Sequence, residues 1–93
     1  MVFGKSAKWA FYIKRDHGMT YKEYNALFRK QKGCCAICGK HQTEQKRRLS
    51  VDHNHTTGII RELLCDNCNH GIGMFKESIE ILRNAIDYLE KHR

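Results

Sequence analysis

The sequence predicts a small α+β domain stapled by zinc, and three observations carry that prediction. Two Cys-x-x-Cys pairs, Cys35 with Cys38 and Cys65 with Cys68, share one internal spacing and have twenty-six residues between them. Between the pairs, "RLSVDH" and "GIIRELL" are short runs rich in Val, Ile and Leu, separated by Asn, Thr and Gly as in a hairpin. Apolar stripes at helical spacing stand before and after this centre. A chain of 93 residues builds only a thin core, so a staple is expected. Five cysteines, an odd number, fit a disulfide framework poorly. No apolar signal segment follows Met-Val-Phe-Gly and no run approaches the length of a membrane span. The expectation is therefore a cytoplasmic protein whose reduced cysteines bind metal.

The elements follow in order. "SAKWAFYIKRDHG" reads as a short helix capped by Ser6, with Trp9, Tyr12 and Ile13 on one stripe. In "TYKEYNALFRKQKG" Thr20 and Glu23 have capping-box spacing, Tyr24, Leu27 and Phe28 share a face, and Gly33 suits a left-handed stop. These two helices form a basic N-terminal segment, residues 1–33. Residues 34–77 hold the cysteine pairs and the hairpin, whose turn needs a positive φ at Gly58. A helix is expected to open at Asn69, weakened by Gly71 and Gly73. In residues 78–93, Ile79, Ile81, Leu82, Ala85, Ile86 and Leu89 repeat at helical spacing, a stripe for a core or an interface. Proline is absent and no linker appears, so residues 1–93 read as a single domain.

Paired knuckles present four thiolates to one ion, and zinc accepts that tetrahedral set. A lone Cys-x-x-Cys also fits a redox pair; two of them favour a closed structural site. His41 and His70 stand next to the knuckles as substitute ligands, and Cys34 is the spare. If four sulfurs saturate the zinc, the run Asp52, His53, Asn54, His55 needs another explanation. One reading is a polar turn; Asn54 in particular suits the loop's own hydrogen bonds. The other is chemistry. The zinc ties the chain before the hairpin to the chain after it, giving strand, strand and helix around a braced centre. Asp52 and Asn69 can then converge on a hard cation such as magnesium or manganese. A neighbouring histidine suits a general base. Regular alternation, however, puts Asp52 and His53 on opposite faces of a strand.

Charge points to a polyanion. Residues 1–48 hold twelve Lys or Arg against three acids, whereas residues 49–93 hold five against seven. The net charge of +7 is therefore concentrated in the first half, as expected of a nucleic-acid partner. Lys30, Lys32, Lys46, Arg47 and Arg48 are the candidate DNA contacts.

"DHNHTTGIIRELLCDNCNHGIGMF", with "CAICGK" upstream, resembles the recombination endonuclease VII family of phage nucleases, within the HNH (ββα-metal) group. The resemblance covers about residues 20–77 and includes both knuckles, the Asp-His-x-His element, the Thr-Gly turn, the Arg and the Cys-Asn pair, in the family's order. It implies a ββα-metal core in which Asp52 and Asn69 hold a catalytic Mg2+ or Mn2+ while Cys35, Cys38, Cys65 and Cys68 hold structural Zn2+. It further implies His53 as general base, His55 on the scissile phosphate and Arg61 against the charge that develops there. The implied function is a DNA endonuclease that nicks or cuts by metal-assisted water attack with low sequence specificity, as monomer or homodimer. The alternatives are a non-catalytic zinc-knuckle nucleic-acid-binding module, or a junction-resolving nuclease if the chain is dimeric.

Overall fold

The structure, a computed structural model of the chain, describes residues 18–93. The helix expected around Trp9 and Ile13 lies outside them. Helix α1, Tyr21–Lys30, starts where the capping box predicts: Thr20 Oγ1 accepts from the Glu23 N–H and Glu23 Oε1 from the Thr20 N–H, each at 3.1 Å. Two donors that the first turn leaves unpaired are thereby satisfied. The helix buries Tyr24, Asn25 and Phe28. It ends through two left-handed residues, Lys32 (φ 56°) and Gly33 (φ 71°). Gly33 is required twice over, because a Cβ there would lie 2.7 Å from His41 Nε2.

The first knuckle follows, closed by an antiparallel bridge between Cys34 and His41, and a 3-10 turn spans Gln42–Glu44. Strands β1, Ser50–His53, and β2, Ile60–Leu64, form the antiparallel hairpin. Its turn is held by Asn54, whose Oδ1 accepts from the N–H groups of Thr56 (2.8 Å) and Thr57 (3.0 Å). Gly58 supplies the positive φ, 77°. Helix α2, Asp66–Met74, begins three residues before Asn69. The start moves because Cys65 Sγ caps it, accepting from the Cys68 N–H at 3.4 Å, so the knuckle is itself the first turn. Neither glycine prevents the helix; both fall near its other end.

A compact core joins these parts. Tyr24, Phe28, Leu49, Val51, Leu63 and Leu64 are buried together with Met19, Cys35 and Cys65. Burying each large apolar side chain contributes about 1.5–3 kcal/mol. Two glutamines act as extra backbone. Gln31 donates to the carbonyls of Cys34 (2.8 Å) and Leu63 (3.0 Å) and accepts from the Leu63 N–H (2.8 Å), tying α1 to β2. Gln42 likewise accepts from the Leu49 N–H and donates to the Arg47 carbonyl.

Helix α3, Ile79–Lys91, is capped by Ser78, whose Oγ accepts from the Ile81 N–H at 3.1 Å. Its stripe is not core: no residue of α3 is buried, and Ile79 and Leu89 are each 68% exposed. Leu82 and Ala85 are half-buried, and Ile79, Ile81, Ile86 and Leu89 of the stripe are exposed.

Candidate functional site

The four cysteines meet. One sulfur from each of Cys35, Cys38, Cys65 and Cys68 lies within 4.8 Å of the others, and Cys38 Sγ is 3.8 Å from Cys65 Sγ. A tetrahedral zinc with bonds of about 2.3 Å separates its sulfurs by about 3.8 Å, so the set fits that ion. Backbone N–H groups of Ile37 and Cys68 point at Cys35 Sγ and Cys65 Sγ, both at 3.4 Å, and support negative sulfur. Burial opposes ionising Cys35, yet backbone hydrogen bonds at Cys65, Cys38 and Ile37 and the Cys38 thiol outweigh it, bringing Cys35 down to about 6. Burial first, then the crowding thiols, pushes Cys68 up to about 12 and Cys65 upward as well. Bare sulfurs this close cannot all carry charge; a divalent ion removes that conflict. Cys34 stands apart, its thiol 3.4 Å from the Lys32 carbonyl. His41 is occupied in capping the 3-10 turn, where Nδ1 accepts from the Thr43 N–H.

The second cluster depends on a break in the hairpin. Val51 pairs with Leu63 and His53 with Ile60, so two steps along β1 match three along β2. Asp52 therefore faces both Arg61 and Glu62, a β-bulge. Regular alternation is lost on both strands: Val51 and Asp52 are consecutive buried residues, as are Leu63 and Leu64. The bulge brings Arg61 onto Asp52, with Nε to Oδ2 at 2.6 Å and Nη2 to Oδ1 at 3.1 Å. The hydrogen bonds that Arg61 donates to Asp52 and then to Glu77 raise its pKa further. Arg61 Nη2 also donates to Glu77 Oε1, and the other oxygen of Glu77 is 3.1 Å from His55 Nε2. The ring of His55 lies 4.8 Å from that of His53. Asp52, Arg61, Glu77, His55 and His53 thus form one connected cluster. Asp52 and His53 are thereby linked through Arg61, Glu77 and His55 rather than by direct contact.

Asn69 lies on α2, which packs on β1; Ser50 Oγ anchors the start of that helix by donating to Asp66 Oδ1 at 3.1 Å. Asp52 is 7% exposed and its carboxylate already meets a cation in Arg61. The Asp52 carboxylate and, on α2, the Asn69 amide each carry oxygen of the hard kind that Mg2+ or Mn2+ accepts. Asn54 belongs to the turn. Lys30, Lys32, Lys46, Arg47 and Arg48 are all exposed, the first at the end of α1, the second just after it and the others on the segment leading to β1. Sequence reasoning missed Glu77. It lies sixteen residues beyond Arg61 in an unremarkable Lys-Glu-Ser run, and only the fold brings it back to the hairpin.

Comparison with known proteins agrees with this fold. The family model of recombination endonuclease VII matches residues 10–91. The gene 59 protein of Mycobacterium phage D29 is 47% identical over 87 residues, covering 92% of this chain and 52% of the relative. The gene 59 protein of Mycobacterium phage L5 is 42% identical over 85 residues, covering 90% and 51%. The chain therefore spans about half the length of these curated relatives. Among solved structures, the ββα-Me type II restriction endonuclease Hpy99I superposes with a TM-score of 0.57 at 35% identity, over 73% of this chain and 42% of that one. With its ββα core, cysteine cluster and matched length, the chain belongs to the recombination endonuclease VII family.

Proposed function

We propose that the protein is a metal-dependent DNA endonuclease of low sequence specificity, hydrolysing phosphodiester bonds by attack of an activated water. The observation that carries this reading is the cluster of Asp52, Arg61, His55 and His53 at a bulge of the hairpin, against the helix that bears Asn69. A module that only binds nucleic acid has no use for a buried carboxylate beside paired histidines. Asp52 and Asn69 would hold Mg2+ or Mn2+, which when bound supplies positive charge at the leaving 3′ oxygen. His53, partly exposed, takes the proton from the attacking water. His55 hydrogen-bonds the phosphate, and Arg61 opposes the charge that builds on it. The exposed basic residues Lys30, Lys32, Lys46, Arg47 and Arg48 hold the DNA backbone, which carries no sequence information directly. Cys35, Cys38, Cys65 and Cys68 hold Zn2+ as a brace without an open position.

The test is cleavage of supercoiled plasmid and of a four-way junction with added Mg2+ or Mn2+, beside His53→Ala. Nicked or linear plasmid is expected from the parent, with at least about a hundredfold loss in the variant. Intact DNA in every lane leaves a binding module; equal cutting by His53→Ala removes His53 as base. Preference for the junction over plasmid assigns the chain to junction resolution.

A further inference from the structure

We propose that Glu77 is a positioning residue of this site, anchoring Arg61 and orienting His55; the assignment rests on the nuclease reading above. Glu77 sits in the turn between α2 and α3 with φ 53°, following Lys76 at φ 56°. Its N–H donates to the Ile72 carbonyl at 2.8 Å and that of Lys76 to Gly73 at 2.9 Å, which closes the end of α2. Glycine or asparagine serves such a left-handed closure with less strain than glutamate. The side chain accounts for the choice. Only 24% exposed, it reaches back to the hairpin and uses each carboxylate oxygen on a different partner: Oε1 on Arg61 Nη2, Oε2 on His55 Nε2.

That division of partners has a consequence for Arg61. Its guanidinium is shared between two carboxylates, bidentate on Asp52 and through Nη2 alone on Glu77. A divalent cation at Asp52 must take those oxygens from Arg61. Without a second anion, the long side chain, already 37% exposed, would relax into solvent. Glu77 keeps it over the phosphate position. The same carboxylate fixes the ring plane of His55, which is 66% exposed and touches otherwise only the ring of His53 among the contacts resolved. Glu77 also competes with Asp52 for Arg61, so its presence eases the exchange of Arg61 for a cation.

The experiment uses the zinc-loaded chain of residues 1–93 and three variants, Glu77→Gly, Glu77→Gln and Arg61→Ala. Glu77→Gly relieves the backbone and should melt no lower than the parent. Its kcat on supercoiled plasmid should nevertheless fall by about 10- to 100-fold, the usual effect of removing a group that orients a ligand or catalytic side chain. Calorimetric titration with Mn2+ in the absence of DNA should show weaker binding in Glu77→Gly and tighter binding in Arg61→Ala. The loss in kcat should shrink when Glu77→Gly is combined with Arg61→Ala, because the two act through one contact. Glu77→Gln, which keeps size but not charge, decides the matter if Glu77→Gly fails to fold. Parent-like kcat and Mn2+ affinity in a folded Glu77 variant overturn the assignment while the nuclease reading stands. A parent that neither binds Mn2+ nor cuts DNA overturns that reading, and the assignment with it.

Discussion

Gln31 shows how one side chain can hold an element in place. Its amide makes three hydrogen bonds, two of them closing on the N–H and carbonyl of Leu63, the most buried residue of the core. Gln31→Ala leaves the Leu63 N–H in the interior without that acceptor, and an unsatisfied buried donor costs about 1–3 kcal/mol. Urea unfolding should show a loss in that range. The cysteines make the second residue-scale prediction. Cys65 and Cys68 are raised and hold protons at neutral pH, so zinc must displace both. Cys35 is depressed to about 6 and is already ionised there. The sign follows: zinc affinity falls as pH falls, and above about pH 6 the Cys65 and Cys68 protons alone give at least about a hundredfold per unit, since each displaced proton contributes about tenfold. Below about 6 Cys35 joins and the slope steepens. Competition with a chromophoric zinc chelator across this range measures it; a flat profile would refute the four-thiolate site.

At the scale of elements, the knuckles and the hairpin form one unit. Cys35 and Cys65 are buried members of the core, and α2 uses its knuckle cysteine as a cap. Zinc binding is then coupled to the order of both strands and α2. Cys68→Ser, or a strong chelator, should lower the melting temperature and reduce the circular-dichroism signal of α2; unchanged melting with one zinc still bound would refute the ligand set. Gly33 is the other critical joint. Gly33→Ala meets His41 Nε2 at 2.7 Å and Phe28 Cζ at 3.0 Å while holding φ at 71°. A loss of about 2 kcal/mol is expected from combined strain and overpacking, read by thermal melting. The strands, the turn at Asn54 and the capping box were legible because each is a local rule. The bulge opposite Asp52 was not: it arises from how two strands of unequal step count are pinned together, and no residue in either strand announces it.

The whole molecule divides its labour along the chain. The first half carries the positive charge, and the second carries the hairpin acids and α2. If Lys30, Lys32, Lys46, Arg47 and Arg48 each cover one phosphate, DNA binding should weaken by roughly 500-fold as salt rises from about 50 to about 200 mM, at about 0.9 counterions per phosphate. Fluorescence anisotropy with unrelated duplexes measures both the slope and the weak sequence preference expected of backbone contacts. Among the described residues no helix is long and apolar enough to cross a membrane.

By itself the sequence determined the donor types and their order: four thiols at knuckle spacing, a carboxylate and two histidines at the hairpin turn, an amide beyond. Those follow from residue chemistry and from periodicities that a few neighbours enforce. Only the tertiary structure decided which of them meet. The bulge placed Arg61 on Asp52, α2 packed on β1, and a left-handed turn returned Glu77 to Arg61 and His55. The physical reason is distance along the chain. A contact between residues nine or more apart depends on how elements pack and where strands slip, and neither spacing nor composition encodes that locally.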